Sequence, residues 1–131
     1  MKVLFHYDAG PVLKKQLEAL KTQGLDIVCC PEGPEQPFMD ELKDTEVIWH
    51  VLHPLTRDII EQAPKLKLIQ KIGVGTNTID LVAAEEKGIV VCNMPGTNSQ
   101  ATAEMTLLLM MAALRRLLIM DTTCRSGQWR I

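Results

Sequence analysis

Short apolar runs alternate with amphipathic helical patterns along most of the chain. Five β-prone runs each precede a turn or a helix start, at residues 2–7, 25–30, 46–50, 68–72 and 89–92. Thr56 and Asp80 stand where helices over residues 58–62 and 81–87 would begin. Strands that alternate with helices form βαβ units, which require a parallel sheet with helices on both faces. The pattern predicts the α/β class, as a flavodoxin-like three-layer sandwich with a five-stranded parallel sheet.

The remaining connections carry ordinary helix and loop signals. Apolar residues recur at helical spacing over residues 12–20, and Gly24 stands where that helix would end. Residues 31–37 contain three prolines and one glycine, which predicts a loop. A short helix over residues 38–43 is expected to follow it.

The chain ends in a long helical pattern that does not fit this compact layout. Asn98 or Ser99 can cap the helix, and Gly127 stands at its expected end. If continuous, about 28 residues would span roughly 42 Å, whereas a compact chain of this length is roughly 36 Å across. Residues 105–114 are apolar around the whole circumference but too short to cross a bilayer.

We therefore expect this helix to be buried against another domain or a second subunit. The sequence divides on this basis into a domain over residues 1–98 and a crossover or dimerisation helix over residues 99–131.

Composition and charge narrow the function classes. The 131 residues carry a formal charge of −2 and no run of Lys or Arg, so neither nucleic acid nor a membrane is an expected partner. Four cysteines without a C-x-x-C pair indicate buried, reduced thiols and a cytoplasmic location. His50 and His53 have suitable spacing for a metal but no third ligand nearby, so no metal site is expected.

Glycine-bearing loops after the fourth and fifth strands carry the candidate chemistry. Gly73-Val74-Gly75 follows a strand, but Thr78 stands where the dinucleotide fingerprint G-x-G-x-x-G requires glycine. The backbone N–H groups of such a loop can instead approach a small anion, for example a carboxylate. A tight turn without a ligand is the alternative. Asn98 can cap the last helix and also contact a ligand, and Thr102 lies in the same first turn.

Polar residues at the other strand ends allow several roles. His6, His50 and His53 end or follow the first and third strands, where they would either line a substrate pocket or be solvated loop residues. Lys71 and Glu104 are expected to be structural. No nucleophile with a matching base can be argued from the spacing, so no catalytic residue is predicted in this chain.

In their order and spacing, several motifs resemble the amino-terminal, substrate-binding (catalytic) domain of the NAD(P)-dependent D-isomer-specific 2-hydroxyacid dehydrogenases. The resemblance covers essentially all 131 residues. The motifs that carry it are Leu66-Lys67-Leu68-Ile69, Gly73-Val74-Gly75-Thr76-Asn77-Thr78-Ile79-Asp80, Ala83-Ala84, Lys87-Gly88-Ile89-Val90-Val91, Asn93-x-Pro95-Gly96, Asn98-Ser99-x-x-x-Ala103-Glu104 and Arg125-Ser126-Gly127-Gln128-Trp129.

The resemblance implies roles for particular residues. Val74 and Gly75 would offer backbone amides to the substrate carboxylate, and Asn98 would face the substrate. Ser99 and Thr102 would approach the nicotinamide end of NAD or NADP. The long helix would reach a Rossmann domain and form a homodimer through residues 99–126.

His50 is a further predicted substrate contact. Members of the family that act on phosphoglycerate tend to carry a basic residue after the third strand, where this chain has only histidines and apolar groups. We therefore expect an unphosphorylated 2-hydroxy or 2-keto acid as the substrate.

The chain also departs from the complete family pattern. The nucleotide-binding domain and the catalytic arginine, glutamate and histidine normally follow the point where this sequence stops, at Ile131. Hydride transfer needs a bound nicotinamide, a carboxylate clamp and a general acid or base. We expect the chain to be inactive alone, as the substrate-binding portion of an oxidoreductase that binds NAD or NADP mainly elsewhere. A non-enzymatic small-acid-binding or dimerisation module is the alternative.

Overall fold

The computed structural model describes residues 1–32 and 35–128, and for residues 35 and 36 it describes the backbone alone. Within these residues, five strands form one parallel sheet in the order β2-β1-β3-β4-β5. The strands are β1 (Lys2–His6), β2 (Asp26–Cys30), β3 (Val47–His50), β4 (Leu68–Lys71) and β5 (Val90–Cys92). The helices are α1 (Pro11–Ala19, continued by a 3₁₀ turn over Leu20–Gln23), α2 (Glu35–Leu42), α3 (Arg57–Glu61), α4 (Leu81–Glu86), α5 (Ser99–Leu114) and α6 (Leu117–Arg125).

Alternating side chains of the central strands build a core on each face of the sheet. Leu4 of β1 and Ile48 of β3, both fully buried, pack in the larger core with residues of α2, α3 and α4. Their neighbours Phe5 and Trp49 pack in the smaller core, together with Leu17 of α1. Successive side chains of a strand point to opposite faces, so both faces need helices. The predicted three-layer α/β sandwich is confirmed.

Helix starts agree with the predictions to different degrees. The Asp80 carboxylate accepts a 2.9 Å hydrogen bond from the N–H of Ala83, as an N-cap should. Thr56 occupies the N-cap position of α3, but its side chain makes no capping bond.

Helix α2 begins earlier than the proline content predicted. It starts at Glu35 and so includes Pro37, whereas residues 31–37 were expected to form a loop. A proline is tolerated in the first turn of a helix because the N–H that it lacks would have no partner there. Residues 33 and 34 of the expected loop lie outside the described residues.

The chain divides into two compact units, Met1–Pro95 and Gly96–Ile131, and each is described by itself. In the second unit the expectation of one continuous helix is wrong. Helix α5 ends at Leu114, Arg116 adopts a left-handed conformation (φ 49°), and α6 begins at Leu117. Neither glycine nor proline marks this break, so no ordinary sequence signal announced it. The expected cap is also absent, because the Asn98 side chain makes no capping bond.

Both helices of the second unit carry several large apolar side chains, and neither helix contains a buried residue. Large apolar side chains that are more than half exposed include Leu107, Leu109, Leu114 and Leu118. None of the helices within residues 1–32 and 35–128 combines the length and the apolar character needed to cross a membrane.

Candidate functional site

Three basic side chains meet at the carboxyl edge of the sheet. His6 ends β1, His50 ends β3 and Lys71 ends β4, and the register places His6 beside His50 and His50 beside Lys71. All three are buried, with exposed fractions of 2%, 0% and 6%. Ligands of open parallel sheets bind outside this edge, so the row lies directly beneath the expected binding surface.

Thr78 connects this row to the glycine loop. Its hydroxyl lies 2.8 Å from Nε2 of His50 and 3.4 Å from Nζ of Lys71. Lys71 Nζ also donates to the carbonyl oxygen of Val51. The backbone carbonyl of Thr78 accepts a 2.8 Å bond from the N–H of Leu55. The loop after β4 is thus tied to the connection between β3 and α3.

The other side of the glycine loop is held by the segment that leaves β5. The N–H of Met94 donates to the carbonyl of Gly73 at 2.9 Å, and the Asn93 side-chain amide donates to the carbonyl of Val74 at 2.8 Å. Gly73 has φ +154°, a conformation that residues with a side chain rarely adopt. These contacts use the loop carbonyls and do not involve the N–H groups of Val74 and Gly75.

Val74 and Gly75 are exposed at the top of this loop. Among the described residues, neither backbone N–H donates a hydrogen bond to another protein group. Two adjacent free N–H groups at a sheet edge can hold a small anion. The geometry therefore agrees with the predicted contact to a carboxylate, which itself stays a prediction.

Burial keeps His6 and His50 uncharged. It lowers the pKa of His6 to about 4, helped by the charge of His53. It lowers the pKa of His50 to about 4 as well, and the neighbouring Lys71 ammonium adds to the effect. The alternative of solvated histidines is wrong for both residues, since each is at most 2% exposed. Among the residues that the structure describes, Nδ1 of each ring is buried without a hydrogen-bond partner.

A cavity lies beside His6, between α2 and α3. Its volume is about 450 Å³, and its walls include Phe38, Ile59 and His53. The His6 ring stacks on Phe38 with centroids 4.1 Å apart and meets the edge of His53 at 5.0 Å. The His6 ring therefore packs against both Phe38 and His53.

Glu32 organises the loop after β3. Its carboxylate accepts hydrogen bonds from the N–H groups of Leu52 at 2.9 Å and His53 at 3.2 Å. Sequence reasoning missed this role, because Glu32 lies in a proline-rich connection far from β3 along the chain. The role of Thr78 was also missed, because the residue stood out only as a departure from a glycine fingerprint.

The predicted site residues fall in both units. His50, Val74 and Gly75 belong to Met1–Pro95, whereas Asn98, Ser99 and Thr102 lie at the start of α5 in Gly96–Ile131. The His50 side chain is fully buried and contacts the Thr78 hydroxyl, so it does not lie on the surface. Asn98, Ser99 and Thr102 are exposed, and the Thr102 N–H donates to the Asn98 carbonyl at 2.9 Å. Their proposed ligand contacts remain predictions.

Among the described residues, the unpartnered N–H groups of Val74 and Gly75 are suited to an anion. No group of three His, Cys, Asp or Glu within residues 1–32 and 35–128 could hold a metal ion. The fold and the glycine loop define a class of parallel α/β domains that present backbone amides at the carboxyl edge of the sheet.

Comparison with known proteins identifies the family. The family model "D-isomer specific 2-hydroxyacid dehydrogenase, catalytic domain" matches residues 3–125, so the chain belongs to that family. It is 36% identical over 127 residues to D-3-phosphoglycerate dehydrogenase of Methanocaldococcus jannaschii, covering 95% of this chain and 22% of that protein. It is 33% identical over 98 residues to glyoxylate reductase of Thermococcus litoralis, covering 74% of this chain and 30% of that protein.

Solved structures show the same fold. The NAD complex of formate dehydrogenase from Staphylococcus aureus matches with a TM-score of 0.85 and 26% identity over 99% of this chain and 43% of that chain. D-lactate dehydrogenase from Aquifex aeolicus, in complex with NAD and lactic acid, matches with a TM-score of 0.84 and 28% identity. The match covers 98% of this chain and 38% of that chain. This chain spans less than a third of the length of the two curated relatives named above.

The buried histidines make stability depend on pH. Their pKa values are about 4 in the folded state and 6.5 ordinarily, so as pH falls below 6.5 the unfolded state takes up protons first. The stability that neutral His6 and His50 contribute is complete above pH 6.5 and is lost toward pH 4. Between pH 7 and pH 5, we expect urea denaturation to show a loss of about 2 kcal/mol in unfolding free energy for each histidine.

A variant provides the control for this expectation. His6→Phe keeps a stacking partner for Phe38 and removes one titrating ring, so about half of the loss should disappear. An unfolding free energy that is the same at pH 7 and pH 5 in the parent chain would contradict the assignment of neutral, buried histidines.

Proposed function

We propose that this chain is the substrate-binding portion of an enzyme that transfers a hydride between NAD(P) and C2 of a 2-hydroxy/2-keto acid. Family membership supports the reaction class. The observation that carries the proposal is the pair of exposed N–H groups at Val74 and Gly75, which have no protein partner among the described residues. They suit a carboxylate, which every substrate of such a reaction contains.

The remaining predicted residues have complementary proposed roles. Asn98 can orient the substrate by hydrogen bonding from the start of α5, and His50 supports the substrate loop through Thr78. The exposed hydroxyls of Ser99 and Thr102 fit contacts with the nicotinamide end of the cofactor. NAD complexes among the structural relatives support this cofactor class. When bound, the nicotinamide supplies or accepts the hydride, while this chain holds and orients the acid.

We place substrate binding in residues 1–98 and connection and dimerisation in residues 99–131. The cytoplasm is the proposed location. Cys29 and Cys30 support it, because burial raises the pKa of both thiols and keeps them protonated and unreactive. Cys92 and Cys124 are exposed, so the expectation of buried thiols is wrong for these two.

The apolar surface of α5 and α6 supports a homodimer. The two helices expose large aliphatic side chains on several sides, including Leu114 at 75% and Leu118 at 83%. The bend at Arg116 adds an apolar groove of about 370 Å³ that involves Leu109 and Leu118. Exposed apolar patches of this kind are typical of surfaces that another protein surface covers.

The activity can be measured on the product of the complete reading frame that contains this chain. We expect NADH- or NADPH-dependent reduction of glyoxylate or pyruvate, and no turnover by residues 1–131 alone. Asn98→Ala should raise KM for the keto acid about tenfold through loss of one hydrogen bond. Gln100→Ala, two residues along the same exposed turn, is the matched control and should leave KM unchanged.

Two results would count against the proposal. One is the absence of NAD(P)H oxidation with every 2-keto acid tested, which would favour the non-enzymatic acid-binding module. The other is an Asn98→Ala enzyme whose KM equals that of the parent.

The dimer has its own test in sedimentation velocity of the same complete protein. Leu114→Glu combined with Leu118→Glu places charges on the apolar helices and should convert a dimer into monomers. Val12→Glu introduces a charge at a residue of α1 that is 74% exposed, and should leave the dimer intact. A double variant that sediments like the parent would refute dimerisation through residues 99–126.

A further inference from the structure

Lys71 is a buried cation whose partners carry no charge. Its side chain is 6% exposed, and its ammonium group bonds the Val51 carbonyl and the Thr78 hydroxyl. Among the side chains that the structure describes, no carboxylate oxygen lies within 4.0 Å of Nζ, although Lys2, Lys65 and Lys67 all have such a partner. A buried charge is costly unless an opposite charge compensates it.

The surroundings of Lys71 leave its charge largely uncompensated. His50, the nearest titratable neighbour in the row, is neutral at pH 7 because its pKa lies at about 4. The Glu32 carboxylate acts on His50 through its charge, but it bonds the N–H groups of Leu52 and His53 and not the Lys71 ammonium. Among the described side chains, no carboxylate in contact with Lys71 therefore offsets its charge.

The side chain of Lys71 also lies against the loop itself. A Cβ atom added to Gly73 would sit 3.4 Å from Cε of Lys71, so the lysine stem passes directly beside the loop backbone. The Lys71 ammonium group donates to the hydroxyl of Thr78, and Thr78 lies five residues after Gly73, where the same loop ends. The lysine side chain thus lies beside the loop whose Val74 and Gly75 N–H groups have no protein partner among the described residues.

We propose that Lys71 is the positioning residue that gives the glycine loop its affinity for an anion. The N–H groups of Val74 and Gly75 contact the carboxylate, and the Lys71 ammonium beneath them supplies the charge and fixes the loop through Thr78. A carboxylate there compensates the buried charge. The assignment rests on the proposed function in so far as the anion is a 2-hydroxy or 2-keto acid, and it makes Lys71 a determinant of substrate affinity.

Oxalate is a suitable probe because it has the carboxylate of the substrate and cannot turn over. Isothermal titration of the complete protein should give an oxalate dissociation constant that rises about tenfold in Lys71→Gln, as expected for one charge a few ångströms from the anion. Lys71→Arg keeps the charge and should restore most of the affinity. Lys67→Gln removes the same charge from the residue just before β4, where the lysine is exposed and paired with Glu46, and should have no effect.

Kinetics separate positioning from general stability. In Lys71→Gln we expect the KM of the keto acid to rise about tenfold with kcat nearly unchanged, because the charge acts on binding in both ground and transition states. If Lys71→Gln does not fold, the wild-type protein still gives an answer, since the ¹⁵N resonance of Lys71 Nζ should shift on oxalate addition while that of Lys67 does not.

The outcomes distinguish this inference from the proposed function. Oxalate affinity in folded Lys71→Gln equal to that of the parent overturns the inference, as does a parent protein that binds no oxalate. A loss that Lys71→Arg does not restore also overturns it, because the charge would then not be the cause. Oxalate binding that depends on Lys71, in a protein without NAD(P)H-linked turnover, supports the inference and refutes the enzymatic function.

Discussion

Thr78 is the residue on which the candidate site depends, because it joins three parts of the sheet edge. Its hydroxyl meets His50 at 2.8 Å and Lys71 at 3.4 Å, and its carbonyl holds Leu55. Through these bonds the ends of β3 and β4 and the start of α3 fix the closing side of the glycine loop. With Asn93 holding the other side, the loop is held in place from both flanks. A preorganised loop loses little conformational freedom when it binds a ligand.

The main features of the first unit could be predicted because they depend on local patterns. Each β-prone run ends at a turn or helix start, and only a parallel sheet accommodates such alternation. Asp80 was recognisable as a cap because its carboxylate needs only a partner three residues away. By contrast, the bond between His50 and Thr78 joins residues 28 positions apart. No local pattern indicates which polar side chains the fold will bring together, so both the burial of His50 and the role of Thr78 became visible only in three dimensions.

The errors in helix prediction have a similar origin. Pro37 suggested a loop, yet in the first turn of α2 a proline does no harm, and composition does not distinguish the two positions. Arg116 breaks the last helical pattern without the glycine or proline that usually does so. The apolar character of that region was read correctly from the sequence. Large aliphatic side chains of α5 and α6, including Leu114 and Leu118, are exposed in the second unit beside polar residues of the same helices.

The central claim is that the backbone amides of Val74 and Gly75 bind a carboxylate. The most direct measurement is a titration of the ¹⁵N-labelled protein with pyruvate, followed through the amide resonances in two-dimensional NMR spectra. The account requires the Val74 and Gly75 amides to shift with a common, saturable dissociation constant, while the amides of Gly24 and Gly88 in distant turns stay unchanged. Unshifted Val74 and Gly75 resonances at a pyruvate concentration that moves other residues would contradict it.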